Sequence, residues 1–226
     1  MNKFFDNFYN YKGFGPAIKP IMPTEEILRE YKNQLPERLL EYWQEYGFCG
    51  WGNGIFWTVN PSEYSDVLKA WLENINFDKK EKIENYNVIG LSAFGEIIVW
   101  GKESGNSIDI NSAYGMIFPS DNTDKLIERG EERMIDLFYA VLSKESLDLD
   151  DINDLPLFER AVEKLGPLEN GEIYGFVPAL ALGGEPKLEN LQKVKATEHL
   201  AFLADLGEKR VMADIVALAK KLPHNQ

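Results

Sequence analysis

Three side chains could supply imidazole or thiolate chemistry: the cysteine Cys49 and the histidines His199 and His224. A structural zinc site wants about four thiolate or imidazole ligands, so this inventory falls short of one. A nucleophile activated by a base needs only two groups, and Cys49 with His199 could form such a pair. However, Cys49 sits in the run Phe48-Cys49-Gly50-Trp51, an aromatic turn that favours a packed thiol over a reactive one. His199 lies in a segment of helical pattern and reads as a core or edge residue. His224 stands in the last three residues, where chains fray.

Carboxylates are the other reservoir of chemistry. The run Asp148-Leu149-Asp150-Asp151-Ile152-Asn153-Asp154, with Glu159 beyond it, invites a calcium-loop test. With Asp148 at the first position, Asp150 and Glu159 fall on ligand positions. Ile152 then occupies a ligand position, and Asn153 stands where the loop needs glycine, so the match fails. The run reads as a solvated acidic loop and helix cap, or as a contact surface for a basic partner. Gly13-Phe14-Gly15 lacks the Lys-Ser/Thr that follows a phosphate loop, and Leu182-Gly183-Gly184-Glu185 puts a carboxylate where a phosphate would sit. No pair of acids is marked out for glycoside hydrolysis. No catalytic, cofactor-binding or metal-binding residue is therefore assigned, and no cofactor is expected.

The elements that would carry these residues follow from period and punctuation. Asn7 to Pro23, broken by Gly13, Gly15, Pro16, Pro20 and Pro23, reads as an extended or irregular arm. Thr24 caps a short helix near 25–33, with Glu25 and Glu26 in its first turn. Pro36 opens a second helix, with Leu39, Leu40, Trp43 and Tyr46 on one face and Gly47 as its end. A glycine-rich turn and short strand run to Trp57. Pro61 then starts a helix over 62–74 with Tyr64, Val67, Leu68, Trp71 and Leu72 inward. A polar loop at 79–82 precedes a β-meander from Val88 to Phe118. Residues 123–145 read as one helix burying Leu126, Ile127, Met134, Leu137, Phe138 and Val141. Short acidic pieces lead to a strand over 173–182, and the tail from Lys195 to Leu222 is helical in pattern.

The expected class is α+β: N-terminal helices packed on a mainly antiparallel β-meander, then a mostly helical C-terminal region with a short strand. Pro119-Ser120-Asp121-Asn122 suggests a boundary between 1–119 and 120–226, although the two parts could pack as one unit. No apolar run approaches the roughly 20 residues that cross a bilayer. The N-terminus lacks the pattern of a signal peptide. With one cysteine, a reducing compartment is expected, and the cytoplasm is its default.

The formal net charge is −13. It is uneven: residues 121–172 hold 15 acidic against 6 basic side chains. Such a field repels nucleic acid and anionic lipid and draws in basic partners. Glu131, Glu132, Asp148, Asp150, Asp151 and Asp154 are the candidate partner-binding residues.

Two stretches carry a resemblance. The first is Lys12-Gly13-Phe14-Gly15 with Tyr31, Leu35-Pro36, Leu39-Leu40, Trp43, Gly47, Gly50, Gly54, Trp57 and Pro61-Ser62-Glu63-Tyr64. The second is Gly171-Glu172-Ile173-Tyr174-Gly175-Phe176-Val177-Pro178-Ala179-Leu180-Ala181-Leu182-Gly183-Gly184, then Glu189 to Val194. The first resembles the GAD-like domain. The second is similar to the C-terminal domain found with it in immunity proteins of bacterial type VI secretion systems, especially those that guard against DNase effectors. The resemblance implies a cytoplasmic antitoxin that binds a cognate toxin, a basic nuclease being the natural partner for so acidic a chain, and it brings no catalytic residue set. An acidic regulatory or scaffold protein without a toxin partner is the alternative, and a carboxylate-based hydrolase a third.

Overall fold

The computed structural model describes residues 2–75, 77, 80–214 and 218. The segment expected to be an irregular arm is partly helical. The Asn2 side chain accepts from the N–H groups of Phe4 and Phe5 and caps α1 (Lys3–Asp6), which runs on into a π-helical turn, Asn7–Tyr11. The prolines do forbid a long helix, but they begin only at Pro16, beyond this turn. The cause of the helix is aromatic burial. Phe5 stacks on Tyr42 with ring centroids 4.0 Å apart, and Phe8 stacks on Phe14 at 4.4 Å. All three phenylalanines are buried, and each such burial stabilises by roughly 1.5–3 kcal/mol.

β1 (Ile18–Ile21) follows, then α2 (Glu25–Tyr31), capped by Thr24 as expected. α3 (Glu37–Tyr46) buries Leu39, Leu40, Tyr42 and Trp43. β2 (Phe48–Trp51) and β3 (Phe56–Thr58) flank a tight turn. α4 (Ser65–Leu72) buries Val67, Leu68, Trp71 and Leu72, in agreement with its pattern. The meander is β4 (Tyr86–Ser92), β5 (Glu96–Gly101), β6 (Gly105–Asn111) and β7 (Met116–Pro119). Of the polar loop expected at 79–82, Lys79 lies outside the described residues.

The single helix expected over 123–145 is three pieces: α5 (Thr123–Arg129), α6 (Glu131–Val141) and α7 (Lys144–Leu147). Gly130, at φ 78° and ψ 155°, breaks the first from the second. The break turns the buried face of α6, so Ile135, Phe138 and Tyr139 point inward. Ile127 and Val141, expected in the core, are 79% and 71% exposed. α8 (Phe158–Leu165) comes next. The strand expected over 173–182 stops early: β8 is Glu172–Phe176, after which Pro178 and a 3-10 turn over Leu180–Leu182 divert the chain. β8 pairs with a second strand, β9 (Leu191–Lys195). The tail helix is shorter than its pattern. α9 is Ala196–Leu206, and β10 (Arg210–Val211) follows. The remainder of the expected helix, and His224, lie outside the described residues.

The class is α+β. The main sheet runs β1-β2-β3-β4-β5-β6-β7-β10, antiparallel throughout except for the parallel β7–β10 pair. Residues from both ends of the chain share one continuous apolar core. The Trp71 indole N–H donates to the Leu200 carbonyl at 3.0 Å, tying α4 to α9. The Tyr174 N–H donates to Ala93 at 2.8 Å, tying β8 to the β4–β5 turn. No described helix is long and apolar enough to cross a membrane.

Candidate functional site

The acidic run 148–154 forms an ordered loop between α7 and α8. Asp148 Oδ1 accepts from the N–H groups of Leu149 (2.7 Å), Leu157 (3.2 Å) and Phe158 (2.9 Å). It thus caps the start of α8 with a carboxylate, the charge that a helix N-terminus favours. Asp151 Oδ1 accepts from Asn153 N–H at 2.8 Å and Leu155 N–H at 3.3 Å, and Oδ2 pairs with Arg160 Nη1 at 2.7 Å. Arg160 also donates to the carbonyls of Leu155 and Pro156. The Ile152 N–H donates to the Pro186 carbonyl at 2.9 Å, which fixes the loop against the segment before β9.

These bonds leave their mark on acidity. Burial works to raise the Asp151 carboxyl, but the Asn153 N–H, Arg160 and the Leu155 N–H outweigh it and hold the group below the usual carboxylate range. At Asp148, burial prevails over its three N–H donors, and the carboxyl is raised. Two of the acids selected from sequence therefore hold the loop together. Asp150 and Asp154 face solvent. Beside them the loop exposes two aliphatic side chains, Ile152 at 52% and Leu155 at 51%. A rigid loop that presents apolar side chains among free carboxylates is suited to gripping a protein surface. The apolar groups supply burial and the acids supply orientation.

Glu131 and Glu132 stand elsewhere, in the first turn of α6. Glu132 Oε2 accepts from the Arg38 N–H at 2.9 Å and lies 3.6 Å from Arg38 Nε. Both glutamates border a groove of about 430 Å³ against α2 and α3, where Arg29 and Lys32 face Glu37 and Glu41. The six residues selected from sequence thus divide between a pinned loop and a helix start. The exposed Ile152 and Leu155 were missed by the sequence reading, although their place among acids in a loop was the available signal.

Elements with other chemistry are separated. Cys49 is buried in β2, and burial pushes its thiol up to about 12. His199, on α9, packs over Gly175 of β8, and burial lowers its pKa. No cluster of three or more His, Cys, Asp or Glu side chains suited to a metal occurs among the described residues. Glu96 and Asp109, on neighbouring strands, were not selected from sequence. Burial, helped at Glu96 by the nearby Asp109 charge, lifts them to about 7 and about 6. Together with Asp148 they line a cleft of about 380 Å³. Their signal was a carboxylate directly beside the isoleucines of each strand.

Comparison with known proteins agrees with this architecture. Residues 3–114 match the GAD-like domain. Residues 132–207 match the C-terminal domain of the T6SS immunity protein Tdi1. No curated protein matches the chain. A solved structure, Atu4351 from Agrobacterium tumefaciens, is similar with a TM-score of 0.82 and 25% identity, over 93% of this chain and 91% of that one. The N-terminal helices and meander, followed by the β8–β9 hairpin and α9, thus coincide with two domain models that together span most of the sequence, and the chain belongs to the GAD-like, Tdi1-type family of type VI secretion immunity proteins.

Proposed function

We propose that this protein is a cytoplasmic antitoxin that binds a cognate type VI effector stoichiometrically and neutralises it without catalysing a reaction. The toxin is a nuclease whose basic, phosphate-gripping surface is the complement of this chain's charge of −13. The observation that carries the reading is the pinned 148–157 loop, with Ile152 and Leu155 exposed between Asp150 and Asp154. The loop's own hydrogen bonds lower the ordering cost of docking. Ile152 and Leu155 are the anchors, and Asp150, Asp154 and Glu131 steer the encounter. The family assignment supports the same role.

The test is co-expression with the effector encoded beside it, followed by purification and titration calorimetry at low salt. The expected result is a one-to-one complex, with the toxin's nuclease activity lost in proportion to the inhibitor added. Absence of a complex at low salt would overturn the reading, and a complex that left the toxin fully active would overturn neutralisation.

A further inference from the structure

From Ile173 to Gly184 the chain carries no charged side chain, and Tyr174 is the only polar one. The first part of this run, Ile173 to Phe176, is buried in β8. Beyond it the apolar run comes to the surface. Val177 is 42% and Leu182 59% exposed, and Pro178, Ala181 and Gly183 are exposed with them. The turn is held from within. The N–H groups of Leu182 and Gly184 both donate to the Ala179 carbonyl, at 2.9 and 3.1 Å, and the Gly183 N–H donates to Leu180 at 3.0 Å. Gly183 takes φ 84°, and a Cβ on Gly184 would collide with the Pro178 carbonyl. Ala179 is buried and roots the turn in the core.

This turn borders the 148–157 loop. Pro186, two residues past Gly184, accepts from the Ile152 N–H at 2.9 Å. On another side, Ala181 lines a cleft of about 210 Å³ with Tyr114, whose phenol is raised first by burial and then by the nearby Asp150 charge. Ile152, Leu155, Val177, Pro178 and Leu182 thus stand exposed on two neighbouring, internally pinned segments. Single exposed aliphatic residues are ordinary, but a cluster of them marks an interaction surface.

The charges around the cluster select its occupant. Asp150, Asp154 and Glu189 are exposed and form no salt bridge among the described residues, while Glu185 is offset by Lys187. In a two-fold contact between copies the same surface meets itself, so these carboxylates would face their own duplicates. Nucleic acid and anionic lipid meet the same repulsion. A protein that offers an apolar groove with lysine or arginine along its rim satisfies both the apolar cluster and the acids.

We infer that the toxin contact continues from the 148–157 loop onto the 177–184 turn, and that the two segments together enter an apolar, basic-rimmed groove of the toxin with Val177 and Leu182 as further anchors. The inference rests on the toxin-binding reading and extends its interface to a segment that shares no residue with the 148–157 loop.

The test uses the full-length protein and the neighbouring effector, with binding measured by calorimetry at low and high salt. Leu182→Ser and Val177→Ser are made separately. Both side chains are exposed, so each variant should melt within a degree or two of wild type. Each should bind about tenfold more weakly, the scale of one lost apolar anchor, and by the same factor at both salt concentrations because no charge is removed. If wild type binds and Leu182→Ser binds within about twofold of it, the extension is wrong and the toxin-binding reading stands. If wild type does not bind the effector, that reading fails and the extension fails with it. If sedimentation shows that wild type is a dimer and Leu182→Ser a monomer, the turn is a contact between copies and the inference is overturned. Should Leu182→Ser not fold, Val177→Ser decides by the same criteria.

Discussion

Four aspartates close together in sequence do two different jobs. Asp148 and Asp151 use their oxygens on backbone N–H groups and on Arg160, whereas Asp150 and Asp154 leave theirs to solvent. Asp148→Ala should therefore destabilise the protein by about 2 kcal/mol, since it orphans N–H groups at the start of α8, and amide exchange should quicken at Leu157 and Phe158. Asp150→Asn should leave stability unchanged. The folded-state pKa of Asp151 is depressed, so its stabilising contribution is present above the ordinary aspartate pKa and is lost as pH falls through the lower folded value. Glu96 and Asp109 act in the opposite sense. Their folded values of about 7 and about 6 lie above those of the unfolded chain, so they favour folding when protonated and cost stability as pH rises from about 4 through 7. Urea melts at about pH 5.5 and pH 8 should show a stability difference that shrinks in Glu96→Gln. At the higher pH that variant should be more stable by about 1–3 kcal/mol.

At the scale of elements, two glycines matter for unlike reasons. Gly130 separates α5 from α6 with a backbone conformation that side chains rarely adopt, and a Cβ there would meet nothing within 4 Å. Gly130→Ala should cost about 1–3 kcal/mol from backbone strain alone. Gly175 has no such backbone constraint, but a Cβ would lie 2.7 Å from His199 Nε2 and 2.8 Å from Val194. Gly175→Ala should loosen the fit of α9 on β8. Trimming His199 to alanine should rescue Gly175→Ala in part, since the contact with Val194 persists, and leave Gly130→Ala unimproved, which thermal melts of the double variants would reveal. The apolar periodicity of α3 and α4 was legible because each buries one unbroken face. That of 123–145 misled because a single glycine rotates the second half, and a pattern carries no record of a dihedral angle.

For the whole molecule, the excess acid and the exposed aliphatic pair should separate kinetically on complex formation with the toxin. Asp150→Asn with Asp154→Asn should slow association at low salt, with the difference fading as salt rises. Ile152→Ala or Leu155→Ala should leave association almost unchanged and speed dissociation about tenfold. Surface plasmon resonance across a salt series separates the two effects. Equal changes in both rate constants for every variant would remove the distinction between anchors and steering charges.

Hydrophobic period, helix caps and prolines by themselves determined the class of this fold and most of its elements, because each of those is set by neighbours within a few residues, and composition alone determined its acidic character. The family resemblance was legible for the same reason, in local runs such as Tyr174-Gly175-Phe176-Val177-Pro178. Only the tertiary structure decided that Phe5, Phe8 and Phe14 belong to the core, and that Asp148 and Asp151 are pins while Ile152 and Leu155 are surface. Those outcomes depend on partners distant in sequence, such as Tyr42 for Phe5 and Pro186 for the loop, and no local pattern encodes which distant group will arrive.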